Sequence, residues 1–279
     1  MEKHDIRLIA MDMDGTLLSP QHVISPGNAE ALRLAAQAGI KLAICSGRGA
    51  GDIAMFALEN GLTECALLGT NGTYCWMNPD GVAFADHVFS PEALAAMVEI
   101  LNRENILTAY FAQNKVLVLN DTEHISDLWW STHRTGKFAP DIYLGMEHLE
   151  KIQRTGTNKL VATTEDLDRL ARVREQLEKV PDIEISSSWI TNLEIMPAGC
   201  NKGTAVAEMA EKLGLTRDQV MTFGDYDNDL PMIEWAGVGV AMGNACDKVK
   251  SVARYVTLTN AEDGVGYAIR KIALGLEGK

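Results

Sequence analysis

The sequence predicts an α/β protein: a doubly wound, Rossmann-like parallel sheet with a smaller α+β unit inserted into it. Three observations carry this. Near both ends of the chain, short apolar runs alternate with helical patterns, as buried parallel strands do. In the middle, Leu107–Ala112 and Lys115–Leu119 are joined only by Gln113-Asn114, so these two strands must run antiparallel. The 279 residues are also long enough for two cores, at roughly 150 residues per domain.

The first strand is Ile6–Met11, ending in Asp12-Met13-Asp14-Gly15-Thr16. A helix follows, with Ser25 as N-cap, Pro26 in its first turn and Gly39 as its stop. Strand Lys41–Cys45 runs into Ser46-Gly47-Arg48, then a helix from about 52 to 59 leads to strand Cys65–Leu68. Asn78-Pro79-Asp80-Gly81 reads as a hairpin tip, and here the style changes. The middle holds helix Pro91–Asn105, the antiparallel pair and a helix-rich stretch with Trp129, Trp130 and His133. It continues with strand Lys159–Thr163, helix Asp166–Val180 and strands Ile183–Ser187 and Asn192–Met196. The parallel style returns with helix Gly203–Leu213, strand Val220–Phe223, helix Leu230–Trp235, strand Val238–Met242, a short helix near Asp247, strand Tyr255–Leu258 and helix Gly266–Leu274. The expected organisation is a core over 1–82 and 193–279, with an α/β cap inserted over 83–192.

Composition narrows the function. Lys+Arg 25 against Asp+Glu 38 gives a net charge of −13, which offers no basic stripe to displace phosphate counterions from nucleic acid. A small phosphorylated substrate stays open, because one metal ion and one Lys reverse the sign of a pocket. Five cysteines without a C-x-x-C pair speak against a disulfide framework or a structural zinc site and fit a reducing cytoplasm. Neither a signal peptide nor a membrane span is expected. Oligomeric state is not legible.

Ligands of open α/β sheets bind beyond the carboxyl ends of the strands. Three such ends carry polar groups: Asp12 and Asp14, Ser46, and Asp225 with Asn228 and Asp229, while Lys202 opens the helix before the last set. A lone Asp-x-Asp says little. Asp166-Leu167-Asp168 sits in a predicted first helical turn and reads as dipole-complementing surface charge. Asp12 and Asp14 directly follow a buried strand, and alternation there places both carboxylates on one side. Carboxylates at two strand ends, without His or Cys, suit a hard cation such as Mg²⁺. A hydroxyl and a Lys suit phosphoryl oxygens. One carboxylate can then act as nucleophile, and a second as general acid and base.

At this point the motifs resemble a known family. Asp12-Met13-Asp14-Gly15-Thr16-Leu17-Leu18, Ser46-Gly47-Arg48, Asn201-Lys202-Gly203 and Gly224-Asp225-(x)₂-Asn228-Asp229-(x)₂-Met232 are similar, in order, to the four motifs of the haloacid dehalogenase superfamily of phosphohydrolases. Leu193-Glu194-Ile195-Met196-Pro197 and Gly239-Val240-Ala241-Met242-Gly243-Asn244-Ala245 resemble its Cof-type subgroup, which carries an inserted α/β cap. The resemblance implies an Mg²⁺-dependent phosphatase working through an aspartyl-phosphate. It implies Asp12 as nucleophile and metal ligand, and Asp14 as general acid/base and metal ligand through its backbone carbonyl. Asp225 would be the third metal ligand, with Asp229 supporting the shell. The Met13 N–H, Ser46, Gly47, Lys202 and Asn228 would hold phosphate. Met13, Ser46 and Cys200-Asn201 depart mildly from the family pattern without removing a functional group.

In such a family the cap selects the leaving group. Polar and aromatic cap residues, Trp129, Trp130, His133, Arg134, Lys137 and Trp189, are therefore the specificity candidates, for a sugar phosphate or a phosphorylated cofactor such as pyridoxal phosphate. Competing readings are a phosphomutase, a phospho-acceptor module that does not turn over, and a nucleotide-binding oxidoreductase. The last rests on Gly237-Val238-Gly239-(x)₃-Gly243, with Glu262 and Asp263 about 20 residues on.

Overall fold

A computed structural model describes residues 2–121 and 139–276. One sheet contains β1 (Leu8–Met11), β2 (Lys41–Cys45), β3 (Ala66–Gly69), β4 (Tyr74–Trp76), β5 (Ala83–Asp86), β12 (Val220–Gly224), β13 (Val238–Ala241) and β14 (Tyr255–Val256). Its order is β14-β13-β12-β1-β2-β3-β4-β5. Every pairing from β14 to β3 is parallel, and β4 and β5 add an antiparallel edge. β1 and β12, more than 200 residues apart in sequence, are neighbours at the centre, paired from Leu8↔Val220 to Met11↔Phe223. All four residues of β1 and all five of β12 are buried, as expected of strands covered on both faces. Their side chains join one core made of both flanks of the chain, Ile6 to Ala85 and Ala205 to Ala273.

The second sheet contains β6 (Leu107–Ala112), β7 (Lys115–Leu119), β8 (Asp141–Leu144), β9 (Lys159–Thr163), β10 (Ile183–Ser186) and β11 (Asn192–Pro197), in the order β10-β11-β9-β6-β7-β8. Pairing is antiparallel except between β7 and β8. Helices Pro91–Arg103, Leu149–Thr155 and Leu167–Leu177 supply buried residues to its own core, which runs from Phe89 to Ile195. Helix starts follow the sequence chemistry: Ser25 accepts from the Asn28 N–H, Ser90 from Ala93 and Asp166 from Arg169.

Several boundaries differ from expectation. β5 pairs with β4 in the first sheet, so that sheet runs past 82. β11 pairs with β9 and β10 through Pro197, so the second sheet runs past 192. β8 and helix Leu149–Thr155 were not anticipated, because their short, half-polar stretches carry no clear period. The expected helix-rich stretch with Trp129, Trp130, His133 and Arg134, and with Lys137, lies outside the described residues. No helix among the described residues is long and apolar enough to cross a membrane. All five cysteines are free thiols.

The run Gly237 to Gly243 is not a dinucleotide loop. Gly239 lies inside β13, and the helix that follows, Asp247–Val252, has only 6 residues. A methyl group at Gly239 would overlap the carbonyl of Ile233, and one at Gly237 would meet the backbone of Asp218. These glycines admit a neighbouring segment against the sheet. Gly239→Ala is therefore expected to destabilise the fold by about 1–3 kcal/mol, the usual range for overpacking a core. A urea titration would measure this, and an unchanged midpoint would show that the helix end at Ile233 yields freely.

Candidate active site

The chain leaves β1 at Asp12, whose N–H still donates to the Phe223 carbonyl at 3.0 Å. It then turns sharply. The N–H groups of Leu17 and Leu18 reach back to the carbonyls of Asp12 and Met13, at 3.2 and 2.9 Å. Gly15 sits at φ 81°, the left-handed region that favours glycine, and Asp225 occupies the space its side chain would need. Thr16 Oγ1 donates to Asp225 Oδ1 at 2.7 Å, fastening the first acidic turn to the second.

Lys202 opens helix Lys202–Lys212, whose N-cap Asn201 forms a reciprocal capping box with Thr204. The Lys202 ammonium lies 2.6 Å from Asp12 Oδ1 and 2.6 Å from Asp229 Oδ1. The side chains of Lys202, Asp12 and Asp229 are 1%, 9% and 1% exposed, so this is a buried three-group ion cluster. The other oxygen of Asp229, Oδ2, accepts from the Asp225 and Tyr226 N–H groups at 2.8 and 3.1 Å. Asp229 thus ties Lys202 to the turn that bears Asp225.

Asp12, Asp225 and Asp229 each offer one oxygen within 4.8 Å of the others. Three carboxylates share that space with one ammonium. Burial, then Asp229 and Asp225, push the Asp12 carboxyl well above the usual range, against the pull of Lys202. Burial and Asp229 push Asp225 up to about 7, against the Thr16 hydrogen bond. Lys202 goes the other way: burial disfavours its charge, but Asp12 and Asp229 more than offset this and raise it. An all-oxygen cluster with excess negative charge fits a hard divalent cation, with Asp12 and Asp225 presenting carboxylate oxygens.

Asp14 does not join this cluster. It is 43% exposed and pairs with Arg48, whose Nε and Nη2 donate to Oδ2 and Oδ1 at 2.8 and 2.6 Å. Asp14 and Gly15 form a turn rather than extended chain, and the two-pronged guanidinium takes the Asp14 carboxylate, although Asp14 still lies close enough to act on Asp225. The Ser46 side chain is buried at the end of β2 and accepts from the Arg48 N–H at 3.2 Å. Asn228 is buried in the turn Asp227–Asp229. The N–H groups of Met13 and Gly47 make no hydrogen bond among the described residues. Trp189, 70% exposed, sits in the turn between β10 and β11.

Sequence reading had given no role to Arg48 or Thr16, or to a buried pair reaching Gly47, Lys159 with Glu194. A charged residue within an otherwise apolar strand was the available clue: Lys159 in β9 and Glu194 in β11.

Residues 9–269 match the haloacid dehalogenase-like hydrolase family, to which this chain belongs. It is a phosphatase of that family. A 5-amino-6-(5-phospho-D-ribitylamino)uracil phosphatase of Bacillus subtilis is 37% identical, over 96% of each chain. A pyridoxal phosphate phosphatase of Escherichia coli is 32% identical, over 94% of this chain and 97% of its own. The crystal structure of a haloacid dehalogenase-like hydrolase from Bacteroides thetaiotaomicron superposes with a TM-score of 0.82 at 29% identity, over 95% of this chain and 99% of that one.

Removing the ammonium should expose what it balances. Lys202→Met is expected to cost about 3–5 kcal/mol of stability, the usual cost of leaving buried charge unpaired. The loss should be greatest near pH 8 and smaller near pH 5, where the carboxyls can protonate instead. Chemical denaturation at the two pH values tests this. An equal loss at both would show that the acids are not ionised in the native cluster.

Proposed function

We propose that this protein hydrolyses small phosphate monoesters in two steps on Asp12, with Mg²⁺ as its resident cation. The observation that carries this is the Asp12 carboxylate, held by Lys202 beside Asp225 at the meeting of β1 and β12. Lys202 keeps Asp12 in one orientation, leaving Oδ2 as the attacking oxygen. That oxygen bonds to phosphorus as the ester P–O bond breaks, and the electron pair leaves on the alcohol oxygen. Asp14 gives that oxygen a proton. It then takes one from a water molecule, which attacks phosphorus, releases phosphate and restores Asp12.

The Met13 and Gly47 N–H groups, the Ser46 hydroxyl and Asn228 orient the phosphoryl oxygens, while Lys202 offsets their charge. Asp12, Asp225 and the Asp14 carbonyl would hold Mg²⁺, with Asp229 fixing the turn behind Asp225. When bound, the cation neutralises charge on the phosphoryl group and on the carboxylates. A carboxylate that accepts two guanidinium bonds has no proton to give, so Asp14 must leave Arg48 and take up a proton from solvent before the first turnover. The proton it later takes from the attacking water serves the next.

The substrate class follows from two relatives whose names carry a phosphate on a compound bearing a nitrogen heterocycle. We extend that class to this chain. Trp189 is the aromatic side chain on the turn next to Ser188, whose hydroxyl contacts Glu194 beside Gly47. It is the candidate surface for the ring.

Phosphate release from a panel of monoesters, with Mg²⁺ or with chelator, tests this directly. Metal-dependent release is expected, with ring-bearing primary-alcohol phosphates ranking high. Release of an isomeric ester without free phosphate would make the enzyme a mutase. Asp12→Asn should lose at least about a thousandfold in kcat while keeping its melting temperature. Asp14→Asn should lose about 10²–10⁴ in kcat/KM, which ends at leaving-group departure, on alkyl phosphates and far less in kcat/KM on p-nitrophenyl phosphate, which needs little acid assistance. Equal losses of kcat/KM on both esters would remove Asp14 from the acid role.

Mg²⁺ should raise the melting temperature, since it binds the folded chain. The gain should shrink as pH falls through about 7, because Asp225 then takes up a proton in the folded state and proton and cation compete for it. A gain that does not vary between pH 5.5 and 8.5 would exclude Asp225 as a ligand.

A further inference from the structure

The turn Ser46-Gly47-Arg48 is fixed through its three successive carbonyls. The Ser46 carbonyl accepts from the Asn71 N–H at 2.9 Å, and the Arg48 carbonyl from the Thr70 N–H at 2.7 Å. Both donors are backbone groups of the same sheet's next loop. The middle carbonyl, Gly47, accepts from a side chain of the other sheet: Lys159 Nζ in β9, at 2.9 Å. Lys159 also pairs with Glu194 of β11 at 2.6 Å, and the two side chains are 1% and 5% exposed. Glu194 in turn accepts from Asn71 Nδ2 at 2.7 Å and from Ser188 Oγ at 3.2 Å. Burial works against the Glu194 charge, but Lys159 and Asn71 more than offset it and hold the carboxyl below its usual range.

Gly47 is open on the side where this cluster docks. A methyl group there would lie 3.0 Å from Glu194 Oε1, 3.0 Å from Lys159 Nζ and 3.2 Å from Asn71 Oδ1. The peptide between Gly47 and Arg48 is held from both ends. Its carbonyl receives Lys159, and its N–H donates to Ser46 Oγ at 3.2 Å. Bonds in series across one peptide strengthen each other and fix its plane. With its oxygen accepting that N–H, the Ser46 hydroxyl keeps its own proton for an outside acceptor.

We propose that Lys159 is a positioning residue through which the inserted sheet sets the phosphate-binding turn, acting on the Gly47–Arg48 peptide and thereby on Ser46. The proposal rests on the phosphatase reading, since Ser46 must contact the phosphoryl group. Lys159 itself touches neither the phosphoryl group nor the leaving group. Its influence reaches every ester alike, whatever alcohol is attached. Docking of the inserted sheet and readiness of the phosphate site thereby become one event.

The test is a double-mutant cycle on Lys159→Met/Glu194→Gln, which removes both charges and leaves no buried ion unpaired. Orthophosphate, with Mg²⁺ present, is titrated calorimetrically into the wild type, the pair variant, Ser46→Ala and the combination. The pair variant should bind about tenfold more weakly, and in the Ser46→Ala background the same change should add no more than about twofold. Its kcat should fall by one common factor on p-nitrophenyl and alkyl phosphates. Losses that multiply in the combination, or a kcat loss that varies with the leaving group, would overturn the proposal while leaving the phosphatase reading intact. A purely structural role would lower the melting temperature without this coupling, and that outcome also overturns it. A wild type that neither binds orthophosphate nor hydrolyses any ester would overturn both.

Discussion

Lys202 Nζ holds two carboxylates at 2.6 Å that reach it from distant parts of the chain, Asp12 from the end of β1 and Asp229 from the turn after β12. A buried ion cluster is a poor source of stability, because removing each charge from water costs about as much as the pairing returns. Its value lies in register. Only one arrangement of β1, β12 and helix Lys202–Lys212 satisfies all three charges together. Asp229 then fixes Asp225 through two backbone N–H groups, and Asp225 takes the Thr16 hydroxyl, closing a ring of contacts back to β1. The site's precision therefore follows from charges that cannot be left alone in a dry core.

The parts legible in the sequence are those governed by local rules. The buried strands announce themselves as short apolar runs, and the acids at their ends stand out against them. The cap at Ser25 follows from hydroxyl chemistry within four residues. What stayed hidden depends on contacts between distant residues. Asp14 looked like a partner of Asp12, because the eye reads Asp-x-Asp as extended chain. The structure turns the chain there and gives Asp14 to Arg48, 34 positions away. Glu194 was visible only as part of a motif, and Lys159 as a strand residue. Nothing local says that these two charges meet beneath Gly47. The same limit explains the ends of the inserted unit: β5 and β11 each join a sheet by pairing with a strand whose position no local pattern encodes.

Within the first sheet, glycine marks where one turn of the site presses on another. Gly15 allows Asp225 to approach the first turn, and Gly47 admits the cluster from the second sheet. These positions carry no chemistry themselves, yet a single methyl group at either would separate groups that must be within hydrogen-bond reach. Sequence motifs that keep such glycines beside Asp and Ser thus record close approach as much as reactivity.

The two ends of a phosphate ester make opposite demands, and the fold separates them. The phosphoryl end is the same in every substrate and calls for fixed charges and amides on rigid strand ends, which the eight-stranded sheet supplies. The leaving group differs between substrates and calls for side chains that can change without disturbing the chemistry. The inserted sheet exposes Trp189 and Ile190 on a turn held by the Asn192 side chain, whose Oδ1 accepts from the Ser188 and Trp189 N–H groups, and this is the turn proposed to meet the leaving group. Were the two units independent, recognition could vary freely. They are not, because Glu194 lies two residues from Asn192 in β11 and is bonded to Asn71 and to Lys159, which reaches the Gly47 carbonyl. Changes in that turn are therefore free only outward from Asn192. Inward from it, they reach Glu194 and, through it, Asn71, whose N–H donates to the Ser46 carbonyl.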